Sequence, residues 1–175
     1  MKHVLSILVD NEPGVLRRIT GLFSRRGYNV DSLSVGETEN PLYSRITVAV
    51  RGDSLIIDQI RKQVSKVIDV VDVIDLPAEA SIYREIALVK VTAMSGTRAD
   101  LAGIVNIFRG NIIDVAPTSI TVEITGGKSK IDAFIELMRS YGIVELARTG
   151  LTGLPRGAAG GAGAADEKWT MNNEK

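Results

Sequence analysis

The sequence predicts an α+β protein made of two tandem βαββαβ units followed by a compositionally simple tail. Three observations carry that prediction. The stretch Ile46-Thr47-Val48-Ala49-Val50-Arg51-Gly52 matches Ile120-Thr121-Val122-Glu123-Ile124-Thr125-Gly126, 74 positions later. A second pair, Arg26-Gly27-Tyr28-Asn29-Val30-Asp31 with Arg109-Gly110-Asn111-Ile112-Ile113-Asp114, matches at 83 positions. The difference of nine falls in one hairpin, long around residues 36–43 and tight at Ala116-Pro117. Within each copy the apolar period then alternates between two and 3.6, in the order strand, helix, strand, strand, helix, strand.

In the first copy, strands are expected over residues 2–10, 29–36, 43–51 and 68–76. The helix expected over 13–26 sets Val15, Ile19 and Leu22 on one face and leaves Arg17, Arg18 and Arg25 largely off it. Gly27 stops it as a cap residue. The helix over 54–66 leads into Val67 with Ile57, Ile60 and Val64 at helical spacing. The second copy repeats this order over 83–93, 99–109, 111–116, 119–125, 128–139 and 143–149. Its helices carry Leu101, Ile104, Val105 and Phe108, then Ile131, Phe134, Ile135 and Met138. Residues 77–81 read as the linker, giving a first domain over 1–77 and a second over 82–152. From 153 to 175 the chain turns to Gly/Ala low complexity and a polar end, and a mobile tail is expected. Trp169, the only tryptophan, lies in that tail and receives no role.

A βαββαβ order with both helices on one face is the split-βαβ, ferredoxin-like arrangement. Right-handed crossovers fix its strand order as 4-1-3-2, so the second strand of each unit is an edge. Val70 and Val71 are adjacent in one strand and cannot face the same side. The face away from the helices, or the edge, therefore calls for a partner.

Composition removes many functions. The 175 residues include 21 Lys+Arg against 21 Asp+Glu, and a pI near 6.6 offers no basic excess for nucleic acid. Without cysteine there are no disulfides, thiolate metal sites or thiol nucleophiles. No apolar run reaches the ~20 residues of a membrane span. The start of the chain reads as a strand and not as a targeting peptide, so a soluble cytoplasmic protein is expected. Aromatic residues make up 5%, too few to line central strands as base-stacking platforms. The single histidine, His3, has no acid partner nearby in sequence, and a satisfied or surface histidine is expected.

The informative segment is Asp10-Asn11-Glu12-Pro13-Gly14-Val15-Leu16, between the first strand and the first helix. Pro13 suits a first helical turn, and Gly14 leaves that turn without a side chain. Bare N–H groups and the positive end of the helix dipole make a site for a carboxylate. Asn11 offers a carbonyl oxygen for an ammonium and an amide donor, or alternatively a plain helix cap. The corresponding Met94-Ser95-Gly96-Thr97-Arg98-Ala99-Asp100 makes the turn without the Asn-Glu-Pro-Gly order, so folding alone does not demand that order.

The loop Asn11-Glu12-Pro13-Gly14-Val15-Leu16, with Leu22-Phe23-Ser24-Arg25-Arg26-Gly27-Tyr28-Asn29-Val30 after it, resembles an ACT domain. The second half adds Arg84 to Val91, Ile107 to Val115, Asp132-Ala133-Phe134 and Val144 to Gly150. Together they resemble, over about residues 2–156, the small regulatory subunit of acetohydroxyacid synthase (AHAS), also called acetolactate synthase. The resemblance implies a non-catalytic chain that dimerises through its ACT domains and binds a branched-chain amino acid, usually valine. By motif, Asn11, Gly14, Val15 and Leu16 would contact this effector from one chain, and Asn29 from the partner chain. It implies activation and feedback inhibition of a catalytic large subunit, to which thiamine diphosphate, Mg and FAD would belong. No cofactor or metal is expected in this chain. The alternative is a free-standing amino-acid sensor acting on another enzyme or on transcription.

Overall fold

The computed structural model describes residues 2–157; the expected tail beyond 157, with Trp169, lies outside them. The first elements are β1 (Lys2–Asp10), α1 (Val15–Arg25), β2 (Asn29–Glu37), β3 (Tyr43–Arg51), α2 (Ser54–Val64) and β4 (Val70–Asp75). A 3-10 turn (Ala78–Ala80) leads into β5 (Ser81–Thr92). Then come α3 (Arg98–Ile107), β6 (Asn111–Val115), β7 (Ser119–Gly126), α4 (Lys128–Arg139), β8 (Ile143–Arg148) and β9 (Thr152–Pro155). One sheet has the order β2-β3-β1-β4 and the other β6-β7-β5-β8, with β9 also paired to β5. This is the order expected from right-handed crossovers, in both copies. Among the described residues, 2–82 with 153–157 form one compact unit and 83–152 the other.

The start of the expected tail needs correcting. Residues 152–155 are a strand, the amide of Arg156 donates to Ala80 O at 2.8 Å, and its Nε donates to Ser81 O at 3.1 Å. A ladder uses backbone groups, so a Gly- and Pro-containing segment with little to bury can still be ordered by pairing.

In the first unit, Leu5, Ile7 and Val9 of β1 and Ile46, Val48 and Val50 of β3 face the helices. They meet Ile19 and Phe23 of α1 and Ile57, Ile60 and Val64 of α2. Val4, Ser6, Leu8, Thr47 and Ala49, on the other face, are buried too. The sheet has two edges among the described residues, β2 beside β3 and β4 beside β1. A bulge at Val71 separates Val70, which faces the core, from Asp72. His3 departs from expectation: it is half-buried, and its buried Nε2 has no hydrogen-bond partner among the described residues. In the second unit Ala87, Val89 and Val91 line the covered face, whereas Ile86 and Leu88 on the reverse stay exposed.

Both units end their first helix in a Schellman turn, but one residue out of step. Gly27 takes the left-handed conformation (φ 68°), with its amide on Ser24 O and that of Tyr28 on Phe23 O. In the second unit Arg109 takes it (φ 52°), and the next residue, Gly110, donates to Val105 O. A Cβ on Gly110 would stand 3.1 Å from the Glu123 carbonyl, so the matching glycine serves close approach and not a turn.

Candidate effector site

β1 ends at Asp10, and four residues later Gly14 sits as the N-cap of α1 with φ 88° and ψ −7°. No side chain caps this helix, and its first turn contains no acid. The helix begins at Val15, so Pro13 belongs to the turn before it. The Val15 amide makes a long bond to Glu12 O, 3.3 Å; among the described residues those of Leu16 and Arg17 have no acceptor. An uncapped N-terminus with free N–H groups and no competing carboxylate favours an anion.

Asp69, which sequence reasoning missed, holds both ends of this loop. Its carbonyl accepts from the Asp10 amide at 2.9 Å. Its carboxylate accepts from Arg18 Nε and an Arg18 terminal nitrogen at 2.6 and 2.7 Å. The bond to Asp69 raises the Arg18 pKa further above its ordinary value, against desolvation. The other terminal nitrogen of Arg18 lies 3.4 Å from where a Cβ on Gly14 would stand. Only one signal was present in the sequence, a guanidinium four residues into the helix; nothing local marks Asp69.

Asn11 is placed otherwise than the sequence suggested. It does not cap α1. Its Nδ2 donates to Pro41 O at 2.9 Å and to Glu37 Oε1 at 3.2 Å, and its Oδ1 accepts from Ser44 Oγ at 3.0 Å. Its backbone amide reaches Leu42 O at 2.7 Å. Asn11 therefore ties the loop to the β2–β3 hairpin. Val15 is in the core, so only its backbone can face a ligand, while Leu16 is exposed. Asn29 is exposed and starts β2 opposite Arg51, which in turn pairs with Lys2. The loop lies at the other end, where Asp10 faces Tyr43. Within one chain the sheet separates Asn29 from Gly14 by roughly 26 Å, eight residues of strand rise.

The matching loop of the second unit is filled by its own side chains. Arg98 donates to Ala116 O and Pro117 O at 2.6 Å and to Ala93 O at 3.3 Å. Asp100 supplies an acid in the first turn of α3. Further along, the buried Glu85 accepts from Arg148 at 2.6 and 2.9 Å, and Arg148 also bonds Asp132. The sequence signal for this network was an acid in register with Ala87 and Val89 on an apolar face. Among the described residues no three His, Asp or Glu side chains converge as a cation site, and no helix is long and apolar enough to cross a membrane.

Residues 5–72 match the description "AHAS small subunit-like ACT domain", and residues 84–157 match "Small subunit of acetolactate synthase". The chain belongs to the acetolactate synthase small-subunit family. A probable acetolactate synthase small subunit of Methanothermobacter thermautotrophicus is 50% identical over 157 residues, covering 89% of this chain and 94% of that one. The Bacillus subtilis small subunit is 46% identical over 159 residues, covering 90% and 92%. The crystal structure of the small subunit from Thermotoga maritima superposes with a TM-score of 0.85 at 42% identity, covering 90% and 98%. Family membership thus extends over both units, and the first is an ACT domain.

Proposed function

We propose that this chain is the regulatory subunit of an acetohydroxyacid synthase, activating a thiamine-diphosphate-dependent catalytic subunit and conferring feedback inhibition by a branched-chain amino acid, valine foremost. The observation that carries the effector site is the bare N-terminus of α1, with a left-handed glycine cap, free amides and no acid in its first turn. The effector carboxylate takes those amides, and the small side chain packs beside exposed Leu16. The site is completed across a dimer. Antiparallel pairing of the open β2 edge with its copy brings Asn29 of one protomer beside the Glu37 end of the other. Asn11 already fixes the loop to Glu37, so the partner's Asn29 arrives next to that loop. Valine has about eight heavy atoms, and micromolar to millimolar affinity is what such a ligand sustains.

The test is reconstitution. Purified chain added to the catalytic subunit should raise acetolactate formation, and valine should reverse that gain more strongly than leucine or isoleucine. Full activity of the catalytic subunit without this chain, and no response to any of the three, would refute the reading.

A further inference from the structure

The two helices of the first unit carry a cationic surface remote from the effector loop. Between α1 and α2 lies an open groove of about 720 Å³, lined by Arg25, Arg26 and Lys66 with Gln59, Gln63 and Tyr28, over Leu22 and Val67. A second groove of about 450 Å³ runs between α2 and β4, lined by Arg61, Lys62 and Lys66, and Asp72 is its one acid. Lys66 belongs to both, so α2 is a ridge flanked by basic grooves. Among the described residues Arg25, Arg26, Lys62 and Lys66 form no ion pair; Arg26 meets only neutral Gln63, at 3.0 Å. Two residues after Lys66 in the chain, Ile68 is 89% exposed.

Helix stability accounts for part of this. Arg25, Arg61 and Lys62 sit in last turns, where cations complement the dipole. It does not account for the whole, because the second unit does without: α3 has no basic last-turn residue, and α4 neutralises Arg139 with Glu136 and Lys128 with Asp132. A chain with no net charge has gathered uncompensated cations on one helical face. The cations are spread over both sides of α2, wider than one small anion can cover. An apolar residue among solvated cations is the composition of an interface that meets an acidic protein surface.

We propose that this α1/α2 face docks onto an acidic surface of the catalytic subunit, a proposal that rests on the regulatory-subunit reading above. Arg25 lies at the C-terminal end of α1 and Lys66 two residues beyond α2, whereas Gly14 is at the opposite end of α1, about 16 Å away from Arg25 along an eleven-residue helix. Within one protomer the cationic face is therefore apart from that protomer's own Gly14 loop, and substitutions at Arg25, Lys62 and Lys66 leave Tyr28 and Asn29 untouched.

The experiment uses the full chain carrying Arg25→Glu, Lys62→Glu and Lys66→Glu together, with a Gln triple variant beside it. The Glu triple should need at least thirtyfold more protein for half-maximal activation of the catalytic subunit, with the Gln triple intermediate. Raising salt should weaken wild-type activation and leave the Gln triple less affected. Calorimetric valine affinity should stay within twofold of wild type for both, which also reports that they fold. Arg84→Glu with Arg139→Glu, in the second unit, should leave activation unchanged. Unchanged activation by the Glu triple overturns the proposal, as does equal loss from the second-unit pair, which would make net charge the cause. A wild-type chain that neither binds nor activates the catalytic subunit defeats the functional reading itself.

Discussion

The two strand-to-helix loops began as matching positions of a repeated unit and solve the same folding problem in different ways. In the second unit Arg98 reaches across to three carbonyls, two of them in the tight turn between β6 and β7. The helix start is thereby sealed, and Asp100 adds negative charge to its first turn. In the first unit the stitching is done from outside the helix start. Asn11 holds the hairpin, and Asp69 holds Asp10 and Arg18, while the first turn of α1 is left bare. A loop that keeps its anchors off the helix terminus retains a polar end able to take a ligand. One that plugs the terminus gives it up for local stability.

The largest effect expected from this contrast is that of Gly14→Asp. It places a carboxylate where the effector's own would sit, and valine affinity should fall by about a hundredfold or more, read by calorimetry. Aspartate tolerates the left-handed conformation better than most residues, so the fold should survive. If Gly14→Asp binds valine like wild type, the bare helix end is not the site. The reciprocal change is Arg98→Ala, which removes a charged donor from three carbonyls. It should lower unfolding stability by about 2 kcal/mol in denaturant titration and leave valine affinity unaltered. Loss of affinity here would erase the distinction between the loops.

Asp69→Asn tests whether the clasp matters to binding. A neutral amide still occupies the place but no longer matches both guanidinium nitrogens, so valine affinity should drop about tenfold with little change in melting temperature. Equal affinity in mutant and wild type would reduce the clasp to scaffolding. The smallest effect concerns the second unit's network. Hydrogen bonding to Lys128, and also to Arg148, holds the Asp132 carboxyl below the usual carboxylate range, against a weaker effect of burial. A depressed native pKa stabilises the fold above the unfolded value, near 4, and that contribution is lost as pH falls through the native one. Asp132→Asn should therefore cost no more than about 0.5 kcal/mol at neutral pH, since the pair is solvent-screened, and nothing at pH 2. A loss that persists at pH 2 would assign the effect to packing.

Much of the fold was legible because it rests on short-range patterns. Alternating apolar residues, helical spacing in α2 and α4, and the internal repeat fixed the elements and, with the handedness rule, the strand order. The bare, glycine-led start of α1 was legible for the same reason: Pro13-Gly14 at the start of the helix is a local fact. The orientation of Asn11 was not, because the hairpin atoms that claim its side chain lie up to 33 residues away in sequence. The part played by Asp69 was equally hidden, for its partner Arg18 is 51 residues distant.

By itself, then, the sequence determined two ferredoxin-like units, their edge strands and a helix end suited to an anion. Only the tertiary structure decided which residues anchor that helix end and which glycine of the repeated Arg-Gly pair makes the turn. It also decided that the chain from Thr152 to Pro155 joins a sheet. The physical reason is range. Periodicity and capping act within a few residues, whereas a hydrogen bond's partner is set by whichever chain segment packing brings within 3 Å.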